Sequence, residues 1–120
     1  MDSRPIPISI IIAAVCDVLR VRHEDLYGNG RHPRVVLARS VVVAVARQWT
    51  LYSYPCIACA LGRPNHSTVI TAHQRVKRQL DLPVRDLWGE QGCHLDGLTV
   101  QQVIDTVRDK CVPAEWRRTA

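Results

Sequence analysis

Four consecutive residues, Asn65-His66-Ser67-Thr68, put an amide, an imidazole and two hydroxyls directly behind Gly62-Arg63-Pro64. Such groups both donate and accept hydrogen bonds, which suits them to base edges and phosphates. Catalysis would need more. Ser67 has no base and orienting acid in a recognisable arrangement, and His32 and His73 have no carboxylate in register. The chain is therefore expected not to be an enzyme. Cys56 and Cys59 form a CxxC, with Cys93-His94 further on. A zinc site from those four is the weaker reading, because the pair falls on a short helix without a metal-binding knuckle. They are read as small packing residues, and no cofactor is expected.

The elements that position the polar run follow from its neighbours. Gly62 can take the left-handed conformation that ends a helix. Pro64 and Asn65 then open the next one, with the Asn65 side chain as cap. Val69, Ala72, Val76 and Leu80 recur at helical spacing, and Ser67, Thr71, Gln74 and Arg78 take the other side. Upstream, Ser53 or Tyr54 caps and Pro55 opens a short helix that runs to Leu61, with Ile57, Ala60 and Leu61 inward. A short helix, a tight turn and a helix with polar residues at its start make a helix-turn-helix.

Arg34 to Thr50 predicts a third, central helix that is apolar almost all round. Its valines are poor helix formers, so burial has to hold it. A strand over Val41–Val45 is the losing alternative. Ser9 caps a first helix over 9–21, and His23-Glu24-Asp25-Leu26-Tyr27 is a single turn. Gly28 to Arg34 reads as a flexible basic loop. After Leu82-Pro83 the composition changes. Residues 86–92 read as loop with Trp88 docked on the core, and Thr99 to Gln102 is a capping box opening a helix that Pro113 ends. Docking of that helix on the core is preferred over a dimer seam. The fold expected is all-α, a helix-turn-helix of about five to six helices (Trp-repressor-like) with an extra C-terminal helix. The division expected is 1–82 for the helix-turn-helix domain and 83–120 for a C-terminal extension.

Charge narrows the partners. The 120 residues carry a net +5, yet no Asp or Glu occurs between Gly28 and Leu80, where eight basic residues fall. An acid-free span of that length fits a polyanion-binding face, with nucleic acid the commonest partner. The apolar run Ile6 to Val15 is too short to span a bilayer, and no membrane association is expected. Five cysteines without regular spacing argue against a secreted disulfide framework and for a reducing cytoplasm.

From Asp25-Leu26 through Ala38-Arg39, Thr50, Ser53, Pro55, Ile57, Ala60, Gly62, His66, Thr68 and Val69, the sequence resembles the C-terminal DNA-binding domain of the bacterial replication initiator DnaA family. The resemblance covers about the first 80 residues. It implies an all-α helix-turn-helix that binds double-stranded DNA, with its second helix in the major groove and a loop arginine in the adjacent minor groove. It assigns base reading to Asn65, His66, Ser67 and Thr68, and the minor-groove contact to Arg31. It assigns a base or phosphate contact to Arg39, a basic contact to Arg47, and short-helix contacts to Tyr54 and Pro55. Arg34, Arg47, Arg75 and Arg78 are candidates for phosphate contact, and Arg63 is a further DNA-binding candidate.

The family's usual Gly-Gly-Arg-Asp-His is here Gly62-Arg63-Pro64-Asn65-His66, and Ser40 replaces a usual Gln. Asn pairs bidentately with adenine where Asp accepts from cytosine, so a changed recognition sequence is expected. No Gly-x-x-x-x-Gly-Lys-Ser/Thr loop is present, which points to a replication or transcription regulator rather than an ATP-driven initiator. A homodimer or other replication proteins are the further partners considered. The competing reading is a protein-interaction adaptor on the same scaffold.

Overall fold

The computed structural model describes residues 6–28, 30–63, 65–88 and 94–112. Seven helices occur among them: α1 (Ile8–Leu19), α2 (His23–Tyr27), α3 (Pro33–Trp49), α4 (Tyr54–Ala60), α5 (Ser67–Arg78), α6 (Val84–Trp88) and α7 (Val100–Cys111). The fold is all-α, as expected, with no strand among the described residues beyond one isolated bridge, Pro83 to Thr99.

α3 is the central rod. Residues Ser40 to Ala46 are all buried, together with Val35, Leu37 and Ala38. Burying an apolar surface on every side is worth roughly 25 cal/mol per Å², enough to hold a valine-rich segment helical against its local preference. The strand alternative for residues 41–45 is therefore the wrong one. His32 caps α3, its Nδ1 accepting from the Arg34 amide at 3.2 Å, and Pro33 occupies the first turn, where a missing N–H costs nothing.

α1 packs against α3 through Ile11, Ile12, Val15 and Leu19. It starts at Ile8 after Pro7 and not at a Ser9 cap, and it ends in a left-handed Arg20 (φ 56°). α7 lies on α1 and α3 and buries Val100, Val103, Ile104 and Val107 in the same hydrophobic cluster. Its start is the reciprocal box read from the sequence: Thr99 Oγ1 accepts from the Gln102 amide, and Gln102 Oε1 accepts from the Thr99 amide at 2.8 Å.

The segment before α7 was expected to be loop. Instead α6 forms there, and Trp88 docks at 3% exposure. A five-residue helix has little propensity to draw on; the buried Val84 and Trp88 hold it against α3. No helix among the described residues is long and apolar enough to cross a membrane.

Candidate nucleic-acid interface

α4 and α5 form the helix-turn-helix. Ser53 caps α4, its Oγ accepting from the Cys56 amide at 3.3 Å. Pro55 sits in the first turn. Gly62 ends the helix at φ +69°, and the Arg63 amide returns to the Ala58 carbonyl at 2.8 Å. α5 begins two residues later than the sequence suggested, at Ser67. Asn65 still serves its first turn: its Oδ1 accepts from the Ser67 amide at 2.9 Å, and its carbonyl accepts from the Thr68 hydroxyl at 3.0 Å. One lone pair of the Asn65 amide oxygen is thus committed to the helix start. Pro64 lies outside the described residues.

α5 buries Val69 and Val76 against the core and turns its polar side out. Asn65, His66, Ser67 and Thr68 are all exposed, as are Thr71, Gln74, Arg75 and Arg78. The exposed side of α5 faces the loop between α2 and α3 across a cleft of about 440 Å³. Arg31, Arg39, Arg63 and Arg75 line it with Ser67, Thr68 and Thr71, and among the described residues no acid does. A second hollow on the other flank of the α5 start is lined by Pro55, Cys59, Arg63 and His66. Arg31 thus shares one cleft with Ser67 and Thr68, and Pro55 shares a hollow with His66.

Two of the arginines that line the cleft are also bonded to backbone carbonyls. Arg39 was expected at the surface. Its guanidinium instead donates to four backbone carbonyls: Nε to Leu26 at 3.0 Å, Nη1 to Gly30 at 2.7 Å, and Nη2 to Asp25 at 2.8 Å and Gly28 at 2.7 Å. Burial first, then the neighbouring Arg63 charge, pull it below the usual arginine range, with Asp25 opposing. Arg63 donates through Nη2 to the carbonyls of Leu26 and Gly28 as well. Both side chains hold the loop.

Others are pinned to neighbours. The Arg47 guanidinium stacks on the Tyr54 ring, 4.3 Å from its centroid, and donates to the Tyr52 carbonyl at 3.0 Å. The Tyr54 hydroxyl is hydrogen-bonded to Nδ1 of His73 at 2.7 Å, linking α4 to α5. Burial, with Lys77 and Arg47 nearby, holds the His73 imidazole below its ordinary 6.5. Arg34 does not line the cleft: its guanidinium rests over Trp88, 5.7 Å from the ring centroid, and its Nε is buried without a hydrogen-bond partner among the described residues. Arg78 is exposed and donates to the Gln74 carbonyl at 3.3 Å.

The model matched by this sequence is that of the bacterial DnaA protein helix-turn-helix, over residues 8–76, from the start of α1 to the last turns of α5. The chain belongs to the bacterial DnaA helix-turn-helix family. Two relatives are the chromosomal replication initiator proteins DnaA of Nitrosomonas europaea, 33% identical over 76 residues, and of Nitrosomonas eutropha, 32% identical over 76 residues. In both cases the match covers 63% of this chain and 17% of the relative. Membership of the DnaA helix-turn-helix family supports DNA binding, and α4 and α5 are the motif by which a DnaA-type domain would do it.

Sequence reading named Arg75 as a phosphate contact but did not count Thr71 among the contact residues. Its signal was available, because Ser67, Thr71 and Arg75 stand four residues apart and so share one helix side. Cys56 and Cys59, expected to pack, are exposed on α4. Cys93 lies outside the described residues.

Proposed function

We propose that this domain binds double-stranded DNA with sequence preference, without enzymatic activity, as a regulator of replication or transcription. The start of α5 enters the major groove, where Ser67, Thr68, His66 and Asn65 meet base edges. Arg31 enters the adjacent minor groove, whose narrow A·T tracts attract arginine. One observation carries the reading: Arg31 and the exposed hydroxyls of α5 line a single acid-free cleft. A protein touching neighbouring grooves must straddle the sugar–phosphate strand between them, and a cleft with arginines on both walls suits that strand. Arg31 comes from the loop before α3, and Arg75 from α5 together with the hydroxyls of Ser67, Thr68 and Thr71. Arg47 and Arg78 add charge at the ends of α3 and α5.

Selection from a random duplex pool, followed by titration of the recovered duplex at two salt concentrations, tests this. The expected result is a single enriched sequence, bound far more tightly than its scrambled version, with log K falling by about 0.9 per phosphate contact for each log unit of salt. Affinity no higher than for the scrambled duplex would overturn it and favour the interaction-adaptor reading.

A further inference from the structure

We propose that Arg63 is a positioning residue, which fixes the Arg31 loop against the α4–α5 turn and does not itself touch DNA. The proposal rests on the DNA-binding reading for the use of the loop; the clamp is a property of the free protein. α2 is five residues long, and the carbonyls of its last turn have no partners within so short a helix. Their partial negative charge favours a cation at this end. Two guanidinium groups meet that demand from different parts of the chain.

Arg39 comes from α3, the helix that directly follows the loop, so its bonds reinforce a link that chain connectivity already provides. Arg63 comes from the turn before α5, 35 residues beyond Gly28, and its bonds to the Leu26 and Gly28 carbonyls tie the loop to the reading helix. The preceding residue adds a close approach: a Cβ on Gly62 would lie 3.8 Å from the Tyr27 carbonyl oxygen. Arg31, three residues past Gly28, therefore takes its place opposite Ser67 and Thr68 from a contact that Arg63 closes. Although Arg63 lines the cleft, its Nη2 is spent on these carbonyls, and its charge serves the loop and not a phosphate.

The test compares Arg63→Ala, Arg63→Gln and Arg31→Ala, alone and combined, on a fluorescein-labelled duplex recovered by selection with the wild-type chain. Arg31→Ala is expected to weaken binding about tenfold in the wild-type background, but less than about twofold on top of Arg63→Ala, because an unanchored arm has little left to lose. Arg63→Gln keeps an N–H donor for the carbonyls without the charge. It should recover part of the lost affinity and leave the salt slope at its wild-type value. Independent losses from Arg31 and Arg63, with the slope reduced by about 0.9 in both Arg63 variants, would make Arg63 a phosphate contact and overturn the proposal.

Hydrogen exchange on the free protein decides the clamp separately. The Gly28 amide, bonded to the Glu24 carbonyl at 3.1 Å, should exchange faster in Arg63→Ala than in the wild type, and in Arg63→Gln by a smaller factor. Should Arg63→Ala not fold, Arg63→Gln carries both comparisons. Unchanged exchange overturns the clamp whatever the duplex results. A wild-type chain without duplex affinity overturns the DNA-binding reading, and with it the use assigned to the loop, and is told apart by exchange that still responds to Arg63.

Discussion

The guanidinium groups of Arg39 and Arg63 converge on the same two acceptors, the carbonyl oxygens of Leu26 and Gly28. Burial first, and then the repulsion between two like charges side by side, hold Arg39 below the usual arginine range. The arrangement holds because backbone carbonyls at a helix C-terminus are a favourable seat for cations, and a charged donor strengthens each bond. Arg39 makes four bonds to backbone carbonyls; removing it would leave those of Asp25 and Gly30 to find other partners, while Leu26 and Gly28 keep Arg63.

Arg39→Ala should therefore act on stability before it acts on binding. Each hydrogen bond to a charged group contributes about 1.5–3 kcal/mol, and the carbonyls regain water in part, so a loss of about 2–4 kcal/mol is expected in urea unfolding. Arg31→Ala, at an exposed loop position, should leave the urea midpoint within about 0.5 kcal/mol of wild type while weakening duplex binding.

His66→Ala and Arg75→Ala should separate sequence reading from charge. His66 is exposed at the start of α5, and its loss should relax preference at one base pair, costing about 1–3 kcal/mol there. Arg75→Ala should weaken all duplexes alike and reduce the salt slope by about one contact. Binding curves on a panel of single-base variants at two salt concentrations distinguish the two patterns.

Burial of the His73 ring, with Lys77 and Arg47 nearby, sets a pH dependence. With His73 below its ordinary 6.5, the unfolded chain binds its proton at a higher pH than the folded chain. Stability linked to His73 is then fully present above 6.5 and is lost as pH falls from there through the lower folded value, because protonation favours unfolding in that window. Urea midpoints between pH 7.5 and 5 should decline in the wild type and decline less in His73→Gln. Tyr54→Phe, which deletes the hydroxyl bonded to the ring, should cost about 1 kcal/mol at pH 7.5.

Gly62 holds φ +69°, a conformation that costs an L-residue about 1–2 kcal/mol. A Cβ there would meet Tyr27 atoms at 3.8–3.9 Å, which is ordinary contact, so the strain is in the backbone alone. Gly62→Ala should lower stability by that amount in denaturant unfolding, and Gly62→Asn, which tolerates the left-handed region better, by less.

Thiol chemistry should follow exposure. Cys56 and Cys59 are exposed, while Cys16 and Cys111 are buried. Burial pushes the Cys111 thiol up to about 11 and, with Asp25 adding, raises Cys16 as well. Since the thiolate is the reactive form, a maleimide at pH 7.5 should label Cys56 and Cys59 quickly and Cys16 and Cys111 only on unfolding, as mapped by mass spectrometry.

Much of the scaffold was legible because its signals are local. Ser53 with Pro55, and Thr99 with Gln102, mark helix starts through groups two or three residues apart, and the structure uses them in that way. The helix over Arg34–Trp49 could be read because an apolar surface on all sides demands a buried rod. The start of α5 was misplaced by two residues because Asn65 bonds the Ser67 amide from just outside the helix, a turn that looks like a cap in sequence. α6 was invisible for a different reason: its five residues are held by the burial of Trp88, not by any preference of their own. Cysteine chemistry suggested burial for Cys56 and Cys59, but helical phase decided otherwise, since Ile57 and Ala58 take the inward side of α4.

By itself the sequence determined every helix but α6, their order, the family resemblance and the acid-free basic span, since each rests on spacing or composition along a continuous stretch. Tertiary structure alone decided which arginines face outward. Arg39 and Arg63 look like surface charges in any one-dimensional reading, because their acceptors are backbone carbonyls 9 to 37 residues away. A carbonyl carries no residue identity, and only folding can bring it within reach of a guanidinium.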